Sequence, residues 1–396
     1  MRYVVLVPDG AADYPLDELD GQTPLEAAAT PCMDRLAREG TGGLVQMIPA
    51  QRHPGSDIGN LEIFGYDSRV HYTGRAPLEA ASMGVDLGDD GVAFRMNLIY
   101  GEGDVLVDYS AGHIASEEAA ELVGALAAEL GGPSLRFYPG VGYRHLLVWD
   151  RGPEEVETYP PHDIMGESMA AHEPTGEGAE RIRALMAAAS PILADAPVNA
   201  ARSARGERPA NAIWLWGSGR ALRLTPLSER YGLQGGVISA VDLVRGIGKS
   251  AGLDVIEVPG ITGYLDTNYE GKAEYALAAL QRADFVYVHV EAPDEAGHNG
   301  DPQAKVQAIE DFDARVVGPI LAELESMGPH RVLLTPDHRT PIVRRTHSRE
   351  PVPFVLWGTG IEADPMQAYG ERAAEWGSMQ VEHGHVLMDY LTERCR

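Results

Sequence analysis

The sequence predicts an α/β fold, in which helices cover a mainly parallel sheet and a smaller α+β domain is inserted. Short runs of β-branched and other apolar residues alternate with segments of helical periodicity, an order typical of doubly wound layers. The runs are almost continuously apolar, as expected for strands that are buried on both faces. A central stretch breaks this alternation with short amphipathic runs and frequent Pro and Gly. These three observations predict the fold class and the insertion.

The strands predicted for the sheet are residues 3–7, Phe285–Val290, 332–335 and 354–357. Apolar residues recur at helical spacing in residues 241–251, 272–282 and 302–326. The Gly-Gly pairs at 42–43 and 235–236 are interpreted as loops. Such sheets bind ligands outside the carboxyl ends of their strands, so the polar segments that follow strands are candidates for the functional site.

Residues 91–235 are predicted to form a separate α+β domain, which interrupts the α/β layer of residues 1–90 and 236–396. The insertion contains an alternating run at 144–149 and one clear helix, Ser116–Leu130. Ser116 is a candidate N-cap of this helix, and the pair Gly131-Gly132 is expected to end it.

Composition excludes several classes of protein. The 396 residues include 32 Lys+Arg and 59 Asp+Glu, a net charge of −27, which repels the phosphates of nucleic acids and anionic membrane lipids. The cysteines, Cys32 and Cys395, lie near opposite ends, which excludes a disulfide framework and a four-cysteine zinc site and favours a reducing cytoplasm. No apolar run reaches the roughly 20 residues of a membrane-spanning helix, and the first residues do not predict a signal peptide. We therefore expect a cytoplasmic protein with no nucleic-acid or membrane partner.

Metal-ligand residue types follow the strands of the C-terminal third. Asp294 and His298 are four residues apart, so a helical turn places both on one side. Asp337 and His338 follow a predicted strand directly, and His347 comes nine residues later. Oxygen and nitrogen donors without cysteine favour Mn, Zn, Co or Mg. A single Asp-x-x-x-His is common by chance, but three such elements in one half of the chain favour a metal site.

Two other residues keep a structural interpretation when taken alone. Asp9 ends the first strand in Pro-Asp-Gly, which is typical of an ordinary turn. Ser56 lies in a loop that leads into a helix, where serine is more often a cap than a nucleophile. Only a neighbouring base or metal would reverse that preference, because an unassisted hydroxyl is a weak nucleophile.

Motifs along nearly the whole chain carry a family resemblance. In order, they are PDGAADYPLDELDGQTPLEAAATPCMDRLA, PGSDIGNLEIFGYD, YTGRAPLEA, YPPHDIMGE, GYLDTNYEGKAE, APDEAGHNGD, PDHRTP and THSREPVP. The chain resembles the archaeal type of cofactor-independent phosphoglycerate mutase, within the alkaline phosphatase superfamily. This resemblance implies an alkaline phosphatase-like layer built from both ends of the chain, with an inserted substrate-handling domain.

The resemblance also implies the chemistry. Two divalent ions, commonly manganese, would be held by two sets of ligands: Asp294, His298 and His347, and Asp9, Ser56, Asp337 and His338. Ser56 would be the nucleophile of a phosphoserine intermediate that interconverts 3-phosphoglycerate and 2-phosphoglycerate in glycolysis and gluconeogenesis, without 2,3-bisphosphoglycerate. Closure between the domains would keep water from that intermediate.

Basic and polar groups of the insertion are the candidates for substrate binding, since guanidinium groups bind phosphate and carboxylate bidentately. They are Arg95, Asn97, His113, Arg144, His145, His162, Asp163, Arg202 and Arg205. Any one of them taken alone is more often a surface charge. The remaining histidines are interpreted as surface or packing residues: His53, His71, His172, His289, His330, His383 and His385.

Two segments depart from the archaeal pattern. Glu291 stands where archaeal mutases usually carry a lysine, and residues 108–113 replace a segment that tends to be arginine-rich. Both differences resemble a bacterial branch of the family that is proposed to act as a homoserine kinase. Arg75, Arg95 or Lys272 would compensate for the lost charge if they lie nearby in space.

Three functions follow from these observations. The leading one is the phosphoglycerate mutase reaction on a small phosphorylated metabolite. The second is phosphoryl transfer to another hydroxylated metabolite, such as homoserine. The third is a non-catalytic metabolite-binding protein, against which the intact set of candidate metal ligands argues. An oligomer is compatible with the sequence, with no residue assigned to its interface.

Overall fold

The computed structural model describes residues 1–393 and divides the chain into two compact units. The first unit comprises Met1–Tyr72 and Arg223–Arg396, and the second comprises Thr73–Leu222. The predicted domain junctions were 90/91 and 235/236. Cys32 is half-buried, and Cys395 lies outside the described residues.

The strands and helices alternate along much of the chain. The strands are β1 (Arg2–Pro8), β2 (Thr41–Val45), β3 (Gly91–Glu102), β4 (Val105–Asp108), β5 (Leu135–Tyr138), β6 (Arg144–Asp150), β7 (Val156–Glu157), β8 (Thr175–Gly176), β9 (Ala212–Arg220), β10 (Gly235–Ile238), β11 (Asp254–Val255), β12 (Phe285–Val290), β13 (His330–Leu334), β14 (Val352–Gly358) and β15 (Met379–Val381). The α-helices are α1 (Pro24–Ala27), α2 (Pro31–Glu39), α3 (Ser56–Ile63), α4 (Ser68–His71), α5 (Arg75–Met83), α6 (Ser116–Leu130), α7 (Ala179–Ala194), α8 (Pro197–Ala204), α9 (Leu227–Arg230), α10 (Asp242–Ser250), α11 (Tyr269–Leu280), α12 (Ala292–Asn299), α13 (Pro302–Phe312), α14 (Gly318–Leu324), α15 (Glu371–Ala374) and α16 (Leu387–Leu391).

The first unit is built on one large sheet with the strand order β11-β10-β12-β1-β13-β14-β2-β15. Only the pairs that involve β14 are antiparallel among these described strands. The central strands β1, β12 and β13 are almost entirely buried, which explains their near-continuous apolar sequences. The predicted mainly parallel sheet covered by helices is confirmed.

The two Gly-Gly pairs lie in strands, so their interpretation as loops is wrong. A Cβ at Gly43 in β2 would overlap the carbonyl oxygen of Met379, and one at Gly235 in β10 would overlap that of Phe285. Neighbouring backbone therefore passes too close for any side chain at these positions. Glycine inside a strand marks such an approach as well as a turn.

The predicted helix at 302–326 is a helical run interrupted by a π-helical segment. α13 passes into Asp313–Val317 and then into α14. The buried Asp313 carboxylate accepts hydrogen bonds from the backbone N–H groups of Cys32, at 3.2 Å, and Met33, at 2.7 Å, in the first turn of α2. A carboxylate at a helix N-terminus satisfies free N–H groups and complements the helix dipole, so this segment holds α2 in place.

The second unit has its own sheet, with the order β4-β3-β6-β5 and with β9 paired to β3. α6 and α7 cover one face of it, where side chains such as Phe94, Leu122 and Ile182 form a common core. α6 has the predicted bounds, but Ser116 is not its N-cap. The N-cap is Ala115, and the Ser116 hydroxyl accepts instead from Gly142 N, at 3.0 Å.

The second unit begins before the predicted junction because α5 belongs to it. α5 packs against β3 and β9. Its residues Ala76 and Ala80 share a small buried core with Ala93, Leu146 and Val148. The apolar face of this short helix thus explains why the boundary lies at residue 73.

Among the described residues, no single helix is both long and apolar enough to span a bilayer. The bent pair α7 and α8 meets the length and composition criteria together, with an angle of 62° between the two helices. The apolar side of α7 is buried in the core of the second unit.

Candidate active site

Three neighbouring strands bring buried carboxylates to one edge of the large sheet. Asp9 follows β1, Asp337 follows β13, and Asp294 lies in the first turn of α12, just after β12. β12 and β13 flank β1 as parallel partners, with Pro8 opposite Val290. The three carboxylates therefore lie at the edge where α/β sheets bind ligands, and each of them is at most 5% exposed.

The first group of candidate ligands is Asp294, His298 and His347. His298 Nε2 lies 3.2 Å from Asp294 Oδ2 and 3.0 Å from His347 Nε2, and His347 Nε2 lies 3.6 Å from Asp294 Oδ1. His298 Nδ1 lies 3.0 Å from the carbonyl oxygen of Arg345, which can only accept a hydrogen bond. Nδ1 therefore carries a hydrogen, and Nε2 is the nitrogen that faces the other candidate ligands and would bind a metal ion once deprotonated, as in many metal-binding histidines.

The electrostatics of this group favour a positive charge within it. Burial alone would lower the pKa of His298, but its hydrogen bond to Asp294 raises that pKa to about 9. Burial would also raise the pKa of Asp294, yet hydrogen bonds to His298 and His347 hold it well below its ordinary value. A cluster that stabilises the carboxylate and attracts a proton in this way is suited to hold a cation.

The second group is Asp9, Ser56, Asp337 and His338. His338 Nε2 lies 3.4 Å from Asp9 Oδ1, 3.5 Å from Asp337 Oδ2 and 3.0 Å from Ser56 Oγ. Asp337 Oδ1 accepts a hydrogen bond from Gly10 N, at 3.1 Å, which ties the loop after β1 to the loop after β13. The structure thus brings all the predicted metal ligands of both sets to one edge of the sheet.

The donor atoms of the second group fit a divalent cation. Burial, followed by the charges of Asp337 and Asp294, raises the pKa of Asp9 well above its ordinary value. Asp9 Oδ1 and His289 Nε2 are buried without a hydrogen-bond partner among the described residues. Crowded carboxylates, and buried polar atoms without a hydrogen-bond partner, destabilise the fold unless a cation is present. Oxygen and imidazole nitrogen donors suit Mn, Zn and Co.

Ser56 is the first residue of α3, and it does not cap that helix. The N-cap is Gly55, which has no side chain to cap the helix. The Ser56 hydroxyl lies instead beside the His338 ring. The helix-cap interpretation is therefore wrong, and the condition under which serine becomes a candidate nucleophile, a neighbouring base or metal site, is met.

Asn60 fixes α3 against the second group, a role that the motifs did not reveal. Its Nδ2 donates to Asp337 Oδ2, at 2.7 Å, and to the carbonyl oxygen of Ser56, at 2.9 Å. The Tyr287 hydroxyl of β12 donates to Asn60 Oδ1, at 2.6 Å. The spacing of four residues between Ser56 and Asn60 was the available signal, because it places both on one side of the helix.

His289 was interpreted as a surface or packing residue, but it lies beside the second group. It is completely buried on β12, and its Nε2 lies 3.1 Å from Asp9 Oδ2. Burial lowers the pKa of His289 to about 4, so the ring is neutral. The signal was a lone imidazole within an otherwise apolar strand. Thr340, which donates to Asp294 Oδ1, was also missed.

Lys272 brings a positive charge close to Glu291. Its side chain is completely buried, and Nζ donates to the carbonyl oxygen of His289, at 2.7 Å. Burial lowers the pKa of Lys272 to about 8, and the attraction of Glu291 opposes that shift. The expected compensation for Glu291 by Lys272 therefore has a structural basis.

In the second unit, Trp216 contacts three predicted substrate-binding residues, and a fourth lies beside them. The Arg95 guanidinium lies 4.2 Å from its ring centroid, the His162 ring lies 5.6 Å away, and Trp216 Nε1 donates to Asn97 Oδ1, at 3.0 Å. Arg144 lies opposite Asn97 on β6. These side chains form a basic cluster with aromatic walls, to which Arg75 also contributes.

The surroundings of the buried Arg95 disfavour its positive charge. Burial lowers the pKa of Arg95 to about 10, and the charges of Arg75 and Arg144 act in the same direction. Arg95 Nε lies 3.0 Å from Glu79 Oε1, so one carboxylate offsets part of this charge. An anion would stabilise the remaining positive charge of the cluster.

Arg202 and Arg205 are engaged elsewhere in the second unit. Both form ion pairs with Glu118 and Glu207. Arg202 is buried and also donates to the carbonyl oxygen of Ala111, at 2.8 Å. These contacts are internal to the fold and do not join the two arginines to the basic cluster.

The other predicted substrate-binding residues also lie outside the basic cluster. His145 follows Arg144 on β6, so the two side chains point to opposite faces, and His145 Nδ1 accepts from Gly140 N, at 3.0 Å. His113 is exposed in the loop before α6, and Asp163 is exposed beside His162. None of these contacts joins them to Trp216.

Comparisons with known proteins agree with one another, and the full-length relatives extend the match beyond the family model. A family model described as 2,3-bisphosphoglycerate-independent phosphoglycerate mutase matches residues 37–199. A protein of Geobacter sulfurreducens, named as a probable 2,3-bisphosphoglycerate-independent phosphoglycerate mutase, is 53% identical over 399 aligned residues that cover 100% of both chains. A protein of Methanothermobacter thermautotrophicus, named 2,3-bisphosphoglycerate-independent phosphoglycerate mutase 2, is 52% identical over 99% of this chain and 98% of its own.

Two solved structures are also similar to this chain over its full length. A protein from Pyrococcus horikoshii superposes with a TM-score of 0.84 at 31% identity, covering 100% of this chain and 98% of its own. A cofactor-independent phosphoglycerate mutase from Thermoplasma acidophilum superposes with a TM-score of 0.69 at 27% identity, covering 100% of both chains.

Proposed function

Because the chain belongs to the 2,3-bisphosphoglycerate-independent phosphoglycerate mutase family, we propose that it interconverts 3-phosphoglycerate and 2-phosphoglycerate by phosphoryl transfer through Ser56. The observation that supports this proposal is the position of the Ser56 hydroxyl, 3.0 Å from His338 and at the edge where three buried carboxylates meet. A hydroxyl is activated by such surroundings when cations occupy them.

Two groups of residues would hold the divalent cations of this family. They are Asp294, His298 and His347 in one group, and Asp9, Ser56, Asp337 and His338 in the other. Bound cations would neutralise the phosphoryl group and lower the pKa of the serine hydroxyl. We propose manganese as the natural ion, since its ligand preferences match these donors.

The chain's own residues would carry out the transfer. Ser56 Oγ gives up its proton and bonds to phosphorus as the ester oxygen of phosphoglycerate leaves and takes up a proton, which gives a phosphoserine and glycerate. The second hydroxyl of the same glycerate then attacks phosphorus, loses its proton and restores the serine hydroxyl. No 2,3-bisphosphoglycerate is needed, because the phosphoryl group returns from the serine. Asn60 and Gly10 would keep Asp337 in place during both steps.

We assign recognition of the anionic substrate to the second unit. Arg95 and Arg144 of the basic cluster are the supporting cations: Arg95 is paired with Glu79, whereas Arg202 is paired with both Glu118 and Glu207. Burial lowers the pKa of His162, so this residue offers a hydrogen-bonding ring rather than a full charge. Arginine binds carboxylate and phosphate with paired hydrogen bonds. The substrate is thus a small phosphorylated metabolite, and we propose that the enzyme acts in glycolysis and gluconeogenesis in the cytoplasm.

The alternative acceptor is another hydroxylated metabolite such as homoserine. Glu291 supports it, because an anion beside the site disfavours a highly charged phosphoester. The ammonium of Lys272, which attracts Glu291, offsets that effect and supports the mutase. A non-catalytic binding protein would have no need for the converging donors around Ser56.

Purified protein with Mn²⁺ and 3-phosphoglycerate, coupled to enolase, tests the proposal. We expect 2-phosphoglycerate to form, a chelator to abolish the reaction and Mn²⁺ to restore it. Absence of turnover, with phosphohomoserine formed from homoserine and a phosphoryl donor, would replace the mutase by the alternative. Activity that is indifferent to chelators would remove the cations from the mechanism.

A further inference from the structure

His289 is the buried donor that the proposed metal-binding groups leave unused. Its ring is completely buried, and Nε2 lies 3.1 Å from Asp9 Oδ2. Despite this distance, Nε2 makes no hydrogen bond of acceptable geometry among the described residues, and neither does Asp9 Oδ1. Two buried polar atoms therefore lie close together without a hydrogen-bond partner among the described residues. One is on β12, and the other follows the adjacent strand β1. Such atoms are rare in folded proteins and point to a missing partner.

The spacing of the surrounding donors suits a cation as that partner. Asp9, His289 and Asp337 each offer one ligand atom, and these atoms all lie within 4.8 Å of one another. All three side chains are at most 1% exposed. Atoms bound at about 2.0–2.2 Å to one central ion lie within that mutual separation.

Ser239 sets the orientation of the ring. Its Oγ lies 3.2 Å from His289 Nδ1 and accepts a hydrogen bond from Val241 N, at 3.0 Å. A serine oxygen has two acceptor positions, so it can also accept from Nδ1–H. The lone pair of the neutral ring then lies on Nε2, which faces Asp9. Metal-binding histidines are commonly held in this way by a hydrogen bond at the other ring nitrogen.

We propose that His289, through Nε2, is an additional ligand of the cation that Asp9 and Asp337 hold. The inference rests on the metal dependence proposed above and adds an imidazole to the second group. His338, in the loop after β13, would then be joined by a second histidine on β12. The position on β12 makes this ligand rigid, because Val7 lies opposite His289 in the register with β1.

Metal binding by the full-length protein tests the proposal without reference to activity. Wild type and His289→Gln are freed of metal and titrated with Mn²⁺ or Co²⁺ in equilibrium dialysis. We expect two ions per wild-type chain. In His289→Gln, the ion of the first group is retained, and the second binds at least about tenfold more weakly.

The number of coordinated histidines separates a ligand from a residue that only orients Asp9. In the Co²⁺-loaded protein, each coordinated ring gives one strongly shifted, exchangeable N–H resonance in the proton NMR spectrum. We expect His289→Gln to lose one such resonance. Ser239→Ala should retain that resonance with faster exchange, because Nδ1–H loses its acceptor.

Two further variants control for folding. His289→Asp offers a carboxylate ligand, so we expect it to bind both ions and still lack one shifted ring resonance, even if the glutamine variant does not fold. His145→Gln is the matched control, because His145 is also buried with an unpartnered Nε2 but lies in the second unit. It should bind both ions as the wild type does.

Two results would overturn the proposal. One is unchanged affinity for both ions in His289→Gln. The other is weaker binding with no shifted ring resonance lost, since His289 would then act only through Asp9. A wild-type protein that binds no divalent ion would instead contradict the proposed function, so the two failures are distinguishable.

Discussion

Ser56 is the residue whose replacement has the most specific expected effect. Ser56→Ala removes the hydroxyl that lies 3.0 Å from His338 Nε2 and leaves the surrounding hydrogen bonds of Asn60 and Asp337 intact. We expect turnover in the enolase-coupled assay to fall by at least about a thousandfold, while the melting temperature stays close to that of the wild type.

An exposed serine provides the control for this variant. Ser326 lies in the helical segment after α14 and donates to the carbonyl oxygen of Glu323 within the same helical run, so Ser326→Ala should keep full activity. Wild-type turnover in Ser56→Ala would remove serine from the mechanism.

His145 makes the stability of the second unit depend on pH. Burial lowers its pKa from 6.5 to about 4. The unfolded chain therefore binds a proton more readily than the folded one between these values, and the contribution of His145 is complete above about pH 6.5 and lost as the pH falls towards 4. The unfolding free energy of the wild type should lose up to about 3 kcal/mol from this group, by about 1.36 kcal/mol per pKa unit.

The glutamine variant isolates this contribution. His145→Gln does not titrate, so the difference in unfolding free energy between wild type and variant should shrink as the pH falls from 7 to 4. Urea denaturation followed by tryptophan fluorescence gives both values. A difference that is constant with pH would show that His145 is protonated equally in both states.

At the scale of single residues, motifs were enough to predict candidate ligands that the fold brings together, but not the residues that hold them in place. Asp294, His298 and His347 stand in spacings that the chemistry requires. The roles of His289 and Asn60 depend on the strand register and on how α3 lies against β13, which no local spacing encodes. Ser116, the predicted cap, accepts a hydrogen bond from Gly142 in another loop. Ser56, for which a cap was the alternative to the predicted nucleophile, lies beside His338.

α3 lies so close to the loop after β13 that one of its residues has to be glycine. A Cβ at Gly59 would overlap the backbone carbonyl of Asp337. Gly59→Ala should therefore push α3, with Ser56, away from His338. We expect an unfolding free energy lower by about 1–3 kcal/mol and a reduced kcat with a smaller change in KM, measured by denaturation and by the coupled assay.

Gly124 on α6 is the matched control. It lies in a helix too, but a Cβ there would meet no atom within 4 Å. Gly124→Ala should leave activity unchanged and stabilise the fold slightly, by about 0.4–1 kcal/mol, because alanine reduces the entropy of the unfolded chain. Equal behaviour of the two variants would contradict the close approach of α3.

Long apolar strands and long helices were predictable at the scale of elements. β12 and α6 have the predicted bounds, since their apolar patterns are uninterrupted. The strands β2 and β10 were missed because their glycines resemble turn signals. Glycine is needed there because a neighbouring strand passes close by, and no local sequence pattern encodes that contact. The π-helical segment at Asp313–Val317 was missed because it depends on the contact of Asp313 with α2.

The second unit is one continuous segment with its own core, which makes it a candidate for independent folding. Residues 73–222 contain β3, β6 and β9 together with the helices that cover them. We expect the isolated segment to unfold cooperatively in urea and to give a dispersed amide NMR spectrum. A segment from 91 to 235 lacks α5 and should be less stable. An unfolded 73–222 segment would contradict the assignment of a separate unit.

At the scale of the whole molecule, the sequence predicted a division into 1–90 with 236–396 and 91–235, whereas the two compact units divide at residues 72/73 and 222/223. Composition and the change in periodicity indicated an insertion, and the resemblance of the motifs indicated the family. The junction at residue 73 depends on the packing of α5 against β3 and β9, which the sequence of a short amphipathic helix does not reveal.

The fate of the phosphoryl group tests the central claim most directly. Protein loaded with Mn²⁺ is mixed with 3-phosphoglycerate labelled at phosphorus, quenched in acid within the first turnovers and digested for mass spectrometry. We predict label on the peptide that contains Ser56, absent when a chelator precedes the substrate and absent in Ser56→Ala. Turnover of 3-phosphoglycerate with no label on that peptide, or with label on another residue, would contradict the account.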